Sequence, residues 1–144
     1  MKKLLVVFSM IMSLCLVGCG NKEVSDSGKS PDGKFIFTIV DGVLAKTDEG
    51  VEVLNVTMKM DNNSECSASP IDSMCGVWGF QNGQDMPLKY DANLQKADNY
   101  TAVLNGSTLE YNVLLETTDK SAVTVEVKDK KNNKLIAKKV IELE

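Results

Sequence analysis

Between residues 107 and 117 the apolar side chains Leu109, Tyr111, Val113 and Leu115 alternate with Glu110, Asn112 and Glu116. A period of two puts one set of side chains on each face of an extended strand, whereas an amphipathic helix needs a period near 3.6. The segment is therefore expected to be a half-buried β-strand. The same period returns from residue 35 onward. Phe35, Phe37 and Ile39 share one face of a first strand over residues 35–40, which resumes at Val43 and Leu44. In residues 52–61, Leu54, Val56, Met58 and Met60 oppose Val53, Asn55, Thr57 and Lys59, and the run ends at the turn-forming Asp61-Asn62-Asn63-Ser64. Val123, Val125 and Val127 alternate with Thr124, Glu126 and Lys128; a turn over 129–134 then leads to a last strand over 135–143.

Residues 77–81 and 84–90 flank Asn82-Gly83, a hairpin signal because both residues tolerate positive φ. A two-residue turn would set Phe80 opposite Asp85 and Trp78 opposite Pro87. A three-residue loop with Gly83 as a left-handed bulge instead sets Trp78 opposite Met86 and gathers Trp78, Phe80, Met86, Leu88 and Tyr90 on one face. The bulged form is the expected one, with Pro87 pointing outward from an edge strand. Residues 91–99 read as polar loop with one helical turn around 93–97, and residues 100–104, the Asn105-Gly106 turn and residues 107–117 are expected to form a further pair of extended segments. Seven or eight short strands, with no amphipathic helix and no internal repeat, predict an all-β fold: an immunoglobulin-like antiparallel β-sandwich.

The N-terminus carries a different signal. Lys2 and Lys3 precede an apolar run over residues 4–17 that ends in Leu16-Val17-Gly18-Cys19. About 14 apolar residues fall short of the roughly 20 that span a bilayer, which favours a cleaved leader. Leucine three before the cysteine and glycine one before it make this a lipobox: cleavage falls between Gly18 and Cys19, and Cys19 receives the lipid, palmitate among its acyl chains. Cys15 would be discarded with the leader. Residues 19–34, rich in Gly, Ser, Asp and Lys, read as a flexible lipid-anchored linker, and residues 35–144 as the folded domain.

Composition narrows the chemistry. The chain has no histidine, and all 16 basic residues are lysines. This removes serine–histidine triads, histidine-bearing zinc sites and arginine clamps. The formal charge of −4 becomes −6 once Lys2 and Lys3 leave with the leader, which opposes binding to nucleic acid. Cys66 and Cys75, outside the cytoplasm and in one loop, are expected to form a disulfide. Met58 and Met60 continue an apolar face and read as core, which leaves Met74 as the methionine to watch for a thioether metal site. Asp61, Asn62, Asn63 and Glu65, or Asp129 with Asn132 and Asn133, could offer oxygen ligands to calcium, but such clusters are mostly turn formers. Trp78 and Phe80 are expected in the core rather than on an exposed aromatic platform.

The chain resembles an uncharacterised immunoglobulin-like domain found at the C-terminus of small lipoproteins in low-GC Gram-positive bacteria. The likeness rests on residues 56–64 (VTMKMDNNS), Phe80-Gln81-Asn82-Gly83, Gly106-Ser107-Thr108, and residues 123–127 (VTVEV). The chain departs from that pattern in Asn105, where a proline often precedes the glycine, and in the Cys66/Cys75 loop. The resemblance implies a secreted, lipid-anchored β-sandwich and carries no catalytic residues.

These readings lead to a non-enzymatic module on the extracytoplasmic face of the membrane, held by Cys19, without cofactor or metal, and monomeric. It is expected to bind a protein or a cell-envelope component through loops or a strand edge. A small-ligand or metal-binding lipoprotein is the alternative, and an envelope hydrolase using a lysine-assisted serine or paired carboxylates ranks last.

Overall fold

A computed structural model describes residues 24–144. Leu16-Val17-Gly18-Cys19, with the Gly18/Cys19 cleavage point and the lipid attachment at Cys19, and likewise Cys15, lie outside the described residues. Among the described residues nine strands run in order: β1 (Ser27–Lys29), β2 (Phe35–Lys46), β3 (Glu52–Asn62), β4 (Cys75–Gln81), β5 (Gln84–Asp85), β6 (Leu88–Lys89), β7 (Thr108–Glu116), β8 (Val123–Asp129) and β9 (Leu135–Ile141). They form two antiparallel sheets, ordered β1-β2-β3-β7-β6 and β5-β4-β8-β9. The chain is thus an all-β sandwich, as its alternation predicts. One 3-10 turn, Pro70–Ser73, sits in the crossing from β3 to β4.

The core lies between the sheets. Phe35, Phe37, Ile39, Leu54, Val56, Met58, Met60, Leu109, Tyr111, Val113 and Leu115 meet Cys75, Val123, Val125, Val127, Ala137 and Ile141 of the other sheet. Met58 and Met60 are fully buried there, as their spacing requires. The gap foreseen after residue 40 is a β-bulge: the β2–β3 register shifts between Ile39 and Asp41. One extra residue reverses the parity of the strand. Phe35, Phe37 and Ile39 face inward before it, Gly42 packs against Leu54 and Ile141 after it, and Val43 turns out to solvent.

Three expectations are corrected. First, part of the segment 19–34 assigned to a flexible linker is a strand: Ser27–Lys29 pairs with β2 in the register Ser27↔Thr38, Gly28↔Phe37, Lys29↔Ile36. The same segment also holds the second sheet: Ser25 O accepts from Lys138 N–H at 3.0 Å, and Asp26 O accepts from Ile39 N–H at 2.8 Å. Backbone pairing needs no apolar side chain, so hydropathy does not reveal it.

Second, the Asn82-Gly83 hairpin is the two-residue form, with Phe80↔Asp85 and Gln81↔Gln84 paired and both turn residues at positive φ (53° and 75°). Those values belong to the primed turn whose twist matches the strands. The expected cost of setting Trp78 opposite Pro87 does not arise, because the chain leaves the sheet there. Met86 N–H still donates to Gly79 O at 2.9 Å; Pro87 has no N–H, and the chain crosses to the other sheet, where Pro87 O accepts from Glu116 N–H and β6 pairs Leu88 with Leu115. Third, residues 100–104 form no strand and contribute a single bridge, Ala68↔Val103.

Candidate functional site

Where β5 departs at Pro87 to become β6, the sandwich is left open. The opening is a cleft of about 580 Å³ between β4 on one wall and β6–β7 on the other. Its floor is core: Phe37, Tyr111, Val113 and Val127, with the backbone of residues 75–79 along one side. Leu88, Tyr90 and Tyr100 form the rim, joined by Asp85, Lys89, Asp98 and Lys130, and the buried Met86 also lines the cleft. Tyr90 and Tyr100 are 70% and 69% exposed, and Leu88 is 62% exposed. The 91–99 loop closes the far end, held by Asp91, whose carboxylate accepts from Asp48, Asn93 and Leu94 N–H. Leu94 and Gln95 N–H also donate to Asp91 O, at 3.2 and 3.0 Å, so the loop turns over 91–95 rather than in a helical turn around 93–97.

Two groups in the cleft carry protons of interest. Tyr111 is buried, which raises its hydroxyl far above the ordinary phenol value, and that hydroxyl makes no hydrogen bond to another described residue. Burial likewise pushes the Cys75 thiol up, with the Ser73 side chain opposing, and the thiol donates to Ser73 O at 3.5 Å. Both groups therefore stay neutral at physiological pH, and the Tyr111 hydroxyl can serve a ligand as a hydrogen-bond donor.

The disulfide expected between Cys66 and Cys75 is not formed: Cys66 is exposed, Cys75 is buried, and both are free. The loop between them closes without it. Ala68 and Val103 exchange two backbone hydrogen bonds, and Asp72 accepts from both Ser69 N–H (2.9 Å) and Ser69 Oγ (2.6 Å). Cys75 is committed to the inner face of β4, while Cys66 points to solvent from a turn whose carbonyl is held by Asn62.

Trp78 and Phe80 are not core residues. In β4 the inward positions are Cys75, Val77 and Gly79, so Trp78 and Phe80 lie half-buried on the outer face of the second sheet. There Lys128 Nζ sits 5.8 Å from the Trp78 ring centre and 4.9 Å from that of Phe80, and pairs with Glu126 at 2.6 Å. The same-face spacing was legible; which face it is depends on the register of β4 against β8.

Met74 is exposed at the end of the 3-10 turn, whereas Met58, Met60 and Met86 are buried in the core, which separates Met74 from the other described methionines. The Asp61–Glu65 cluster is built around Asn62, a fully buried side chain that donates to Cys66 O and Val103 O and accepts from Ser64. In the second cluster, Asp129 is buried and caps the backbone of Lys131. Among the described residues, no group of three Cys, Asp or Glu is placed to share a metal ion. What sequence reading missed is the cleft itself, whose walls come from segments that are distant in the chain.

Two solved structures share this fold. A Staphylococcus aureus chain provisionally described as a lipoprotein superposes with a TM-score of 0.58 at 14% identity, over 81% of this chain and 92% of its own. A Bacillus subtilis chain, described in the same way, superposes with a TM-score of 0.54 at 10% identity, over 85% of this chain and 39% of its own. The present chain thus spans well under half of the Bacillus protein. No protein-family profile matches the sequence, and no curated protein matches it.

Proposed function

We propose that the chain is a lipid-anchored, non-enzymatic binding protein on the outer face of the cytoplasmic membrane, and that the cleft beside β4 is its binding site. The observation that carries the binding role is the apolar recess of about 580 Å³ with Tyr90 and Tyr100 left largely in water at its mouth. Exposed aromatic rings at the rim of a recess have apolar area to lose on contact and a hydroxyl to direct it. The thiol and phenol inside are held protonated by burial, which suits recognition better than nucleophilic chemistry.

Anchoring is supported by the Leu16-Val17-Gly18-Cys19 lipobox and by the descriptions of the two chains that share the fold. Ser25, whose carbonyl accepts from Lys138 N–H, stands six residues after Cys19 in the sequence. Six residues reach at most ~20 Å, so a lipid on Cys19 would hold the domain close to the headgroups.

A photo-crosslinking residue at position 100 in intact cells tests the site, with position 43, exposed on the outer face of β2, as the control. Adducts are expected from position 100 only; equal labelling from both positions, or none, overturns the reading. In the same cells Cys19→Ala is expected to leave the protein unprocessed or released from the membrane, and unchanged attachment and processing would remove the anchor.

A further inference from the structure

Strand β4 has two edges, and only one is fully paired. Lys130 N–H donates to Met74 O, and the register runs on without a break through Gly76↔Lys128, Trp78↔Glu126 and Phe80↔Thr124. In an antiparallel ladder, hydrogen-bonded and non-hydrogen-bonded pairs alternate. The backbone groups of residues 74, 76, 78 and 80 therefore point at β8, and those of 75, 77, 79 and 81 point the opposite way, toward the cleft. Met86 N–H donating to Gly79 O on that side confirms the phase.

Beyond that bond the edge is bare. Among the described residues, Gly79 N–H, both backbone groups of Val77 and the Cys75 carbonyl have no hydrogen-bond partner, and Cys75 N–H turns back to Ser73 Oγ at 3.2 Å. The gap exists because Pro87 takes the chain out of register just where β5 would have covered these groups. The result is a row of donors and acceptors at every second residue, set in the wall of an apolar cleft.

We propose that the cleft takes an extended peptide segment of another protein, which adds to β4 along residues 75–79 as the strand that β5 fails to be. This rests on the cleft being the binding site. A repeat of unpaired backbone groups at strand spacing is matched by another backbone, while a compact small ligand would meet only one or two of them. The open stretch of five residues is about 16 Å long at strand rise, so it takes a segment of about five residues.

Side-chain requirements follow from the pleat. Positions of the peptide that share the inward face with Val77 enter the floor formed by Phe37, Tyr111 and Val113, and must be apolar. Those that face outward lie beside Trp78, where an aromatic or β-branched residue packs best. The rim residues Leu88, Tyr90 and Tyr100 flank the edge, which suits a single extended strand better than the edge of a second sandwich.

The test uses the processed full chain in detergent micelles and a phage-displayed library of twelve-residue peptides. Enriched peptides are expected to alternate apolar residues and to slow amide exchange at Val77 and Gly79. Val77→Pro deletes the Val77 donor without breaking a bond of the free protein, so it should melt nearly as the wild type does and bind an enriched peptide at least tenfold more weakly. Should that variant not fold, methylating the peptide's backbone nitrogens one at a time gives the same reading: loss of binding must recur at every second position.

The inference is overturned if Val77→Pro binds as the wild type does, if methylation has no period of two, or if the edge is occupied by a second copy that Val77→Pro separates. It is also overturned if the library yields no alternating binder. Tyr100→Ala distinguishes the two proposals. A peptide weakened by Tyr100→Ala and untouched by Val77→Pro keeps the cleft as the site and removes strand addition; one untouched by both removes the cleft as well.

Discussion

At the scale of single residues, two buried amides do what the apolar pattern could not announce. Asn62, at the end of β3, donates to Cys66 O and Val103 O and accepts from Ser64 N–H at 3.0 Å. Gln81, at the end of β4, donates to Asp119 O and Ser121 O and accepts from Thr118 N–H. Each side chain satisfies loop backbone that would otherwise be buried without partners, and such groups cost about 1–3 kcal/mol apiece when orphaned. Asn62→Ala is expected to lower stability by about 2–3 kcal/mol with an unchanged denaturant slope, measured by urea unfolding; a loss below about 0.5 kcal/mol would mean that solvent replaces the amide. The cysteines give a second outcome at this scale. A thiol reagent applied to the native chain should modify Cys66 rapidly and Cys75 only on unfolding, because the Cys75 thiol is buried and its ionisation is pushed up. Protection of both until a reductant is added would show that they are bonded after all.

At the scale of elements, β1 is the piece that sequence composition hides and geometry enforces. A Cβ on Gly28 would come within 2.0 Å of Ile136 O, so only glycine lets β1 lie this close to β9 while pairing with β2. Gly28→Ala is expected to prise β1 from β9 at about 1–3 kcal/mol, seen as faster amide exchange at Lys138, which donates to Ser25 O, and at Ile39, which donates to Asp26 O. Exchange unchanged at both sites would show that the strand is not docked there in solution. The hairpin shows the converse. Asn82-Gly83 was readable as a turn from chemistry alone, but its length was not, because the pairing of Trp78 depended on where the chain goes after Pro87.

At the scale of the whole molecule, carboxylates placed by loops tie stability to pH. The Ser69 hydroxyl and N–H lower the Asp72 carboxyl, the Asp48, Asn93 and Leu94 N–H groups lower Asp91, and Ser121 with Asn82 lowers Asp119. A carboxyl whose folded value lies below its unfolded value of 3.8 stabilises the fold fully above that value, and the contribution is lost as pH falls through the folded one. Urea unfolding should therefore give a flat stability from pH 7 to 5 and a decline below pH 4. Asp91→Asn, which keeps the size and loses the charge, should flatten that decline; an equal decline in the variant would assign it to other carboxyls.

The sequence alone determined what local chemistry decides: the alternation that makes strands of residues 52–61 and 107–117, the turn at Asn82-Gly83, and the core positions of Met58 and Met60. Each of these is written within a few neighbouring residues. Tertiary structure decided what depends on distant partners. Register put Trp78 and Phe80 outside under Lys128, close approach made a strand of Ser27–Lys29, and separate surroundings left Cys66 and Cys75 unjoined. The cleft belongs to this second kind. It exists because Pro87 carries the chain from one sheet to the other, and no window of sequence contains both of its walls.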